Sequence, residues 1–218
     1  RTMRERTSGY SAAKKKRIDR LTRKRRNPPV VLSGDEVGPI QVIPHGGRGW
    51  FPEETPGRIP ATYRKDRGTV YYFLCLNVFR QRLSGDLHGV RDAANWLDFM
   101  KGERRRYPRD QRIYWIQDGL SAHWTPDVRR WARTHKVILV PTATNASWMN
   151  PVECHAGDLQ ELALAGADPQ EAWEVGWAMD AALAYRNEER KARGKTFRDT
   201  VRKDRRRRPK KPLWKRNV

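Results

Sequence analysis

Residues 112–118 read Arg-Ile-Tyr-Trp-Ile-Gln-Asp, an apolar run of β-branched and aromatic residues that ends in a carboxylate. Such a run predicts a buried strand that carries Asp118 at its C-terminal tip. A second apolar run covers 137–140, and the polar loop that follows it ends at Asn150-Pro151. Because Asn-Pro is typical of a helix start, Glu153 is predicted in the first turn of the next helix.

The pattern of an apolar run tipped by an acid occurs once more, near the start of the chain. Residues 29–36 read Pro-Val-Val-Leu-Ser-Gly-Asp-Glu, which predicts a strand from Val30 to Asp35. If this strand and the Asp118 strand lie side by side and parallel, Asp35 and Asp118 meet at one edge of the sheet. Three carboxylates on separate elements, Asp35, Asp118 and Glu153, are therefore expected to converge on one point.

The remaining elements complete an α/β fold. Apolar runs predict strands at 69–79 and 83–90, joined in an antiparallel meander. Residues 38–68, with six Gly and five Pro, predict an extended loop that contains a short strand at 41–44. Helical spacing and caps predict the helices 92–107, 125–135 and 153–165, and a further helix capped by Asp168-Pro169. Leu159, Leu162 and Ala163 are expected to pack in the core.

This order of elements predicts a mixed five-stranded sheet flanked by helices, the ribonuclease H-like plan. A strand, helix, strand succession from 112 to 140 implies a right-handed crossover and parallel pairing. The predicted organisation is a basic N-terminal arm or linker at 1–29, a ribonuclease H-like domain at 30–190 and a basic tail at 191–218.

The charge of the chain is concentrated at its ends. The 218 residues carry a formal charge of +21. Residues 1–29 contain twelve Lys/Arg and two Asp/Glu, residues 186–218 contain sixteen and four, and the middle is nearly neutral. Two basic arms on a neutral core favour a polyanionic partner, nucleic acid before an anionic membrane surface. The first arm is interpreted as a solvated or connector helix or as a segment lying along DNA phosphates, and the second as a disordered tail with affinity for DNA.

Cysteine usage and hydropathy indicate the compartment in which the protein is expected and argue against a membrane span or a secretory signal. Cys75 and Cys154 are too few for a disulfide framework, which favours a reducing, intracellular compartment. No apolar stretch approaches the roughly 20 residues of a membrane span, and the basic N-terminus lacks the apolar segment of a secretory signal. A chain that starts at Arg1 indicates a fragment of a longer protein.

Three carboxylates on rigid elements suit one kind of chemistry. Phosphodiester cleavage without a covalent intermediate uses Mg²⁺ to polarise the phosphate and to stabilise the leaving oxygen, and such hard cations prefer carboxylate oxygens. Two bound metals need one shared acid and one further acid each. The close ligand spacings of structural zinc do not occur, and Gly46-Gly47-Arg48-Gly49 lacks the Lys-Ser/Thr of a phosphate-binding loop.

Three blocks resemble the catalytic motifs of one family. Residues 33–36 (Ser-Gly-Asp-Glu), 115–123 (Trp-Ile-Gln-Asp-Gly-Leu-Ser-Ala-His) and 141–153 (Pro-Thr-Ala-Thr-Asn-Ala-Ser-Trp-Met-Asn-Pro-Val-Glu) resemble those of the IS630 and Tc1/mariner superfamily of DDE transposases. The 34 residues between Asp118 and Glu153 match the family's spacing. The third block is the most specific, and the resemblance covers about residues 30–190.

The resemblance implies a domain that cuts double-stranded DNA at transposon ends and joins the freed 3′-hydroxyls to target DNA. It implies that Asp35, Asp118 and Glu153 hold Mg²⁺, with Mn²⁺ as a substitute. It also implies a homodimer that assembles on DNA. The expected location is the bacterial cytoplasm, in association with the nucleoid. The family reads its transposon ends with helix-turn-helix modules upstream of this domain. It commonly has Asn after the second acid, whereas Gly119 lacks the side-chain hydrogen bond of Asn.

Two alternative functions stay open from the sequence, namely a catalytically inactive DNA-binding descendant of a transposase and another ribonuclease H-like nuclease. Roles for three side chains near the predicted site also stay open. His123 is expected either to assist the site or contact phosphate, or to face solvent or cap a helix. Trp124 and Trp148 are expected either to stack on a flipped base or to pack.

Overall fold

The computed structural model describes residues 3–47, 54–55, 67–143 and 146–193. Within these ranges the chain forms five α-helices and five β-strands. The helices are α1 (Met3–Leu21), α2 (Ala93–Arg105), α3 (Pro126–Thr134), α4 (Glu153–Leu164) and α5 (Ala172–Arg193). The strands are β1 (Val30–Gln41), β2 (Thr69–Asn77), β3 (Arg82–His88), β4 (Ile113–Gln117) and β5 (Val137–Pro141).

The five strands form one mixed sheet in the order β3-β2-β1-β4-β5. The pairs β1/β2 and β2/β3 are antiparallel, whereas β1/β4 and β4/β5 are parallel. The parallel pairs arise because α2 and α3 return the chain to the same end of the sheet before β4 and β5 begin. This arrangement confirms the mixed sheet and the ribonuclease H-like order predicted from the sequence.

The register between β1 and β4 sets the position of the two aspartates. Ser33 lies opposite Ile116, so two residues further along each strand Asp35 and Asp118 come level with each other. Gly34 has to be small for this pairing, because a Cβ there would lie 2.8 Å from Cζ2 of Trp115. Both acids therefore lie just beyond the point where the β1/β4 ladder stops.

Helices cover both faces of the sheet. On one face α2 and α3 pack Trp96, Met100 and Val128 against side chains such as Trp115. On the other face α1, α4 and α5 contribute the following buried side chains: Ile18, Leu21, Leu159, Leu164, Val175, Met179 and Ala182. Successive residues of β1 alternate between the two layers, as Val31 and Leu32 do. With both faces buried, the central strands can be continuously apolar.

The helix caps follow the predicted chemistry. Asp92 accepts a hydrogen bond from the backbone N–H of Asn95 at 2.8 Å and caps α2. The Thr125 side chain accepts from Val128 N–H and precedes Pro126, the first residue of α3. The chain leaves α4 through Gly166, whose φ of +76° lies in the left-handed region that glycine adopts without strain.

Strand β1 is longer than predicted. It continues past Asp35 to Gln41, so the loop expected to begin at residue 38 is strand at its start, and the short strand expected at 41–44 is not formed beyond Gln41. The register of β1 against β2 shifts between Val37 and Ile40, where Gly38-Pro39 lies. Such an irregularity accommodates proline, which has no N–H to donate to the ladder.

Two expectations about the C-terminal helices are wrong. Helix α5 begins at Ala172, so Asp168-Pro169 does not cap it, and the Glu174 carboxylate instead accepts from the backbone N–H of Gln170. Leu162 is 44% exposed and does not belong to the core, although Leu159 is buried as expected and Ala163 is partly buried against the core. The buried stripe of α5 contains Val175 and Met179 rather than its tryptophans.

The N-terminal helix packs on this domain. Helix α1, within the segment interpreted as a basic arm, buries Ile18 and Leu21, and Lys14 Nζ donates to the Thr142 carbonyl at 3.0 Å. Most of the predicted loop at 38–68 and residues 194–218 of the predicted tail lie outside the described residues. Across the described ranges, no helix combines the length and apolar character that crossing a bilayer demands.

Candidate active site

Asp35 lies on β1 at the edge where the parallel strands end. Its Oδ1 accepts a hydrogen bond from the backbone N–H of Glu36 at 3.0 Å, and its Oδ2 accepts from Asn150 Nδ2 at 2.9 Å. Burial, and then the negative charges of Glu36 and Asp118, raise the pKa of Asp35 to about 7. Asp35 and Asp118 are therefore close enough to repel each other, as two acids that share a cation must be.

Asp118 follows β4 directly and is held by the segment after it. Its Oδ1 accepts from the backbone N–H of Leu120 at 3.0 Å and contacts His123 Nδ1 at 2.7 Å. Burial would raise the pKa of Asp118, but these two contacts and the charge of His123 outweigh burial and lower it. Gly119 therefore does not leave Asp118 without orienting hydrogen bonds.

His123 connects Asp118 to a third carboxylate, Glu36. The imidazole is only 2% exposed in its side chain and stacks on the Trp96 ring with centroids 3.9 Å apart. Its Nε2 lies 3.3 Å from Glu36 Oε2, within ion-pair distance when the imidazole is protonated. The geometry of this contact is not that of a hydrogen bond, and Glu36 Oε2 makes no hydrogen bond to any described residue. Burial would lower the pKa of His123, and the contacts with Asp118 and Glu36 raise it instead. The solvent-facing interpretation of His123 is wrong.

Glu36 is a site residue that the sequence analysis did not identify. Its Oε1 lies 3.0 Å from Arg91 Nη1 in a salt bridge, and its Oε2 contacts the His123 imidazole. Burial would raise the pKa of Glu36, but contact with His123 and its positive charge outweigh burial and lower it. Arg91, Glu36, His123 and Asp118 thus form a continuous chain of side-chain contacts along the sheet edge.

The third block is attached to β1 by side-chain hydrogen bonds. Asn150 Nδ2 donates to the Gly34 carbonyl at 3.0 Å, and the Ser33 hydroxyl donates to Asn150 Oδ1. The Val152 backbone N–H donates to Ser33 Oγ at 3.0 Å. Ser33 and Asn150 are fully buried. This network fixes the residue before Glu153 to the strand that carries Asp35. The sequence identifies Asn150 only as part of a helix start and of the third block, and not as a partner of Asp35.

Glu153 is the first residue of α4, as predicted. Its Oε2 is buried and makes no hydrogen bond to any described residue. However, no three His, Cys, Asp or Glu side chains in the described ranges are grouped closely enough to hold a metal ion. The structure therefore brings Asp35 and Asp118 together and tethers the backbone next to Glu153, but it does not place the three carboxylates in one cluster.

The tryptophans near the site differ in their roles. Trp124 Nε1 donates to the Asp118 carbonyl at 2.6 Å, which closes the turn that contains His123. Trp148 is 62% exposed, and Lys15 Nζ lies 5.4 Å from the centroid of its ring. Trp124 therefore has a packing role, whereas Trp148 presents an exposed aromatic ring to Lys15 of the basic helix α1.

The model of the family described as "DDE superfamily endonuclease" matches residues 30–174, two thirds of the chain. The chain belongs to this family. The match contains all three predicted acids and ends at the start of α5. No curated protein sequence matches the chain significantly.

Solved structures share the fold of this DDE superfamily endonuclease. The Mos1 transposase paired-end complex with left transposon end matches with a TM-score of 0.60 at 15% identity over 84% of this chain. The catalytic domain of Mos1 mariner transposase matches with a TM-score of 0.56 at 16% identity, covering 84% of this chain and 83% of that domain. The chain spans 56% of the Mos1 chain in the paired-end complex, so it corresponds to part of that protein.

The donor set of the DDE superfamily endonuclease fits a divalent cation. Carboxylate oxygens are the ligands that Mg²⁺ and Mn²⁺ prefer. Burial, and then repulsion from Glu36 and Asp118, raise the pKa of Asp35, and a bound cation would relieve the repulsion. The buried Oε2 of Glu153, without a hydrogen-bond partner among the described residues, is likewise an acceptor that a cation would satisfy.

Proposed function

We propose that this chain is the catalytic domain of a transposase of the IS630 and Tc1/mariner type, which cuts DNA at transposon ends and joins the freed 3′-hydroxyls to target DNA. The observation that carries the proposal is the pair Asp35 and Asp118, level with each other on adjacent parallel strands and coupled by their charges. The family match and the shared fold with Mos1 transposase support it.

Asp35, Asp118 and Glu153 are the proposed ligands of Mg²⁺, with Mn²⁺ as a substitute. Bound there, the cation supplies Lewis-acid activation of the phosphodiester and of the attacking water or hydroxyl. Asn150 and Leu120 N–H orient the two aspartates. Glu153 is proposed to complete the set by turning its side chain, whose Oε2 makes no hydrogen bond to a described residue. Mos1 paired-end complexes were solved with Mn and with Mg, which supports this assignment.

Double-stranded DNA is the proposed partner, and the basic segments supply affinity that depends on salt more than on sequence. Residues 1–29 have a net charge of +10 and residues 186–218 a net charge of +12. Each phosphate that Lys or Arg neutralises releases counterions, so affinity falls steeply with salt. Binding to a duplex that stayed constant between about 50 and 200 mM NaCl would exclude this role for the arms.

Two further assignments belong to the same proposal. The active assembly is a homodimer that forms on DNA ends, as the paired-end description of the Mos1 complexes supports for that relative. Light scattering with and without end duplexes tests it, and a monomer on DNA would exclude it. The proposed location is the bacterial cytoplasm, in association with the nucleoid, which fractionation of the source cells tests.

Nicking of supercoiled plasmid in Mn²⁺ by wild type and Asp118→Asn tests the catalytic assignment. The substitution is expected to lower the rate at least about 100-fold, since it removes a ligand charge worth several kcal/mol in the transition state. Asp127→Asn is the matched control, because Asp127 lies on α3 with a side chain that is 74% exposed. Equal nicking by wild type and Asp118→Asn would refute the assignment.

A strand-transfer assay with pre-cut duplexes that carry the sequences flanking the gene separates transposition from the alternatives. Transposase activity gives joined products that Asp118→Asn does not form. Cleavage without joining would instead indicate another ribonuclease H-like nuclease. Duplex binding with neither reaction would indicate an inactive DNA-binding descendant of a transposase.

A further inference from the structure

The outer surface of the helix pair α4 and α5 carries an apolar groove that the proposed active site does not use. Its volume is about 310 Å³. It is lined by Leu162 and Ala163 of α4 and by Trp177, Ala178, Ala181 and Tyr185 of α5. An apolar cavity of about 150 Å³ accepts a benzene-sized molecule, so this groove has room for two large apolar side chains.

The groove belongs to a larger exposed aromatic stripe. Trp173, Trp177 and Tyr185 are 66%, 72% and 60% exposed, and Ala181 continues their spacing of four residues along α5. Residues four apart lie on the same face of a helix. The opposite face of α5 is already buried in the core through Val175 and Met179. Contiguous exposed apolar surface of this kind marks an interaction site.

The charge around the groove is negative in a chain that is otherwise strongly basic. No Lys or Arg occurs between Lys136 and Arg186, whereas seven Asp/Glu do. Glu161 adjoins Leu162, and Glu174 and Asp180 each lie three residues from Trp177, one turn away on α5. Glu174 accepts a hydrogen bond from the Gln170 N–H and Asp180 one from the Tyr72 hydroxyl, and both carboxylates keep their negative charge beside the groove. This surface therefore repels DNA phosphates and attracts a basic ligand with apolar anchors.

The chain itself contains one segment with that chemistry. Residues 194–218 hold twelve Lys/Arg against two Asp. Leu213-Trp214 stands in this segment between Lys210-Lys211 and Lys215-Arg216. A second copy of the groove is a poorer partner, because a twofold interface would place the two acidic rims against each other.

The chain between the end of α5 and Leu213 is also long enough to reach the groove. The segment starts where α5 ends, and Leu213 lies twenty positions after Arg193. Twenty extended residues reach about 66 Å, whereas the helix from Arg193 back to Trp177 measures about 24 Å. Attachment to the same chain also gives the segment a high effective concentration at the groove.

We propose that the groove between α4 and α5 is the docking site of the chain's own C-terminal segment, with Leu213 and Trp214 in the groove and the flanking Lys and Arg residues against its acidic rim. This assignment does not depend on catalysis. The basic tail then has a binding site within the domain. The acidic rim of the groove and DNA phosphates compete for the same Lys and Arg residues of the tail.

Photo-crosslinking in the full-length chain tests the proposal. A photoreactive benzoylphenylalanine replaces Trp214, and crosslinked peptides are identified by mass spectrometry at low protein concentration. Docking gives crosslinks within one chain to 162–163 and 177–185. Ala181→Arg, which fills the groove with a basic side chain, is expected to lower their yield at least about fivefold, which corresponds to roughly 1 kcal/mol.

Ala192→Arg is the matched control, an exposed alanine on α5 about two turns beyond Tyr185, and it should leave the yield unchanged. Crosslinks that persist at full yield in Ala181→Arg would overturn the groove as the site. Crosslinks found only in species of twice the chain mass would overturn docking within one chain and assign the groove to the tail of a second copy. Crosslinks spread over the whole surface, or none, would overturn the proposal.

Discussion

The Asn150 side chain donates a hydrogen bond to Asp35 Oδ2 at 2.9 Å and a second to the Gly34 carbonyl at 3.0 Å. These two residues are 115 positions apart in the sequence. One amide therefore joins the loop that leads to Glu153 to the strand that carries Asp35. Together with the Val152 N–H, which donates to Ser33 Oγ, this buried side chain sets the relative position of the segments that carry two proposed metal ligands.

Replacement of Asn150 by Ala is expected to weaken both stability and nicking. The Ser33 hydroxyl and the Gly34 carbonyl would lose a buried partner, which costs roughly 2–3 kcal/mol, and Glu153 would lose its fixed distance from Asp35. Urea denaturation and plasmid nicking measure the two effects. Asn95→Ala, at the partly exposed start of α2, is the control and should cost below about 1 kcal/mol. Wild-type stability and nicking in Asn150→Ala would contradict this interpretation of the network.

His123 is expected to set the acidic limit of activity. His123→Phe retains an aromatic ring against Trp96 but removes the nitrogen that contacts Asp118. Because His123 lowers the pKa of Asp118, its loss raises that pKa, and the ionised ligand is lost at a higher pH. The acidic limb of the pH–rate profile for nicking should therefore move to higher pH. His135→Phe, at an exposed position of the chain, should leave the limb in place, and an unmoved limb in His123→Phe would exclude this role.

Asp35 is expected to destabilise the metal-free fold at neutral pH. Its pKa is raised from 3.8 to about 7, so the folded chain binds a proton that the unfolded chain has released, and stability falls as pH rises through that window. Asp35→Asn removes this loss of stability, because the amide does not ionise. The stability of the variant relative to wild type should rise by on the order of 4 kcal/mol between pH 4 and pH 8, measured by urea denaturation in EDTA. A difference that does not change with pH would show that Asp35 is not strained by charge.

The same charge argument makes divalent cations stabilising. Mn²⁺ that binds only the folded chain raises the unfolding midpoint with concentration. The wild-type midpoint should rise in Mn²⁺, and Asp35→Asn should lose most of the rise because it removes a proposed ligand. Calorimetric melting with increasing Mn²⁺ measures both, with Asp127→Asn as the control that should respond like wild type. Equal shifts in Asp35→Asn and wild type would assign the bound ion to another site.

The sequence predicted the parts of the site that depend on local pattern. The apolar run before Asp118, the cap at Thr125-Pro126 and the helix start before Glu153 each use short-range chemistry, and the structure has all three. Strand β1 was predicted too short because Gly38-Pro39 is typical of loops. Pairing with β2 keeps this segment in the sheet, and that partner is about 30 residues away in the chain.

The contacts that position the side chains of the site depend on tertiary packing. His123 meets Glu36, and Asn150 meets Ser33, only after the sheet has formed. No spacing along the chain distinguishes these polar residues from surface ones. The same limit applies to α5, where tryptophans and smaller apolar residues occupy opposite faces and the smaller ones, such as Val175, are the buried ones.

His155 is expected to reduce stability in acid. Burial, and then the positive charges of Arg190 and Arg186, lower its pKa to about 3, and Arg190 Nη2 donates to its Nδ1 at 2.8 Å. Between pH 6.5 and pH 3 the unfolded chain binds a proton that the folded chain does not, so stability is lost as pH falls through this window. His155→Gln should reduce the loss between pH 7 and pH 4 by on the order of 2 kcal/mol, measured by urea denaturation, whereas His135→Gln should not. A loss that is the same in wild type and His155→Gln would show that His155 is protonated in the folded chain.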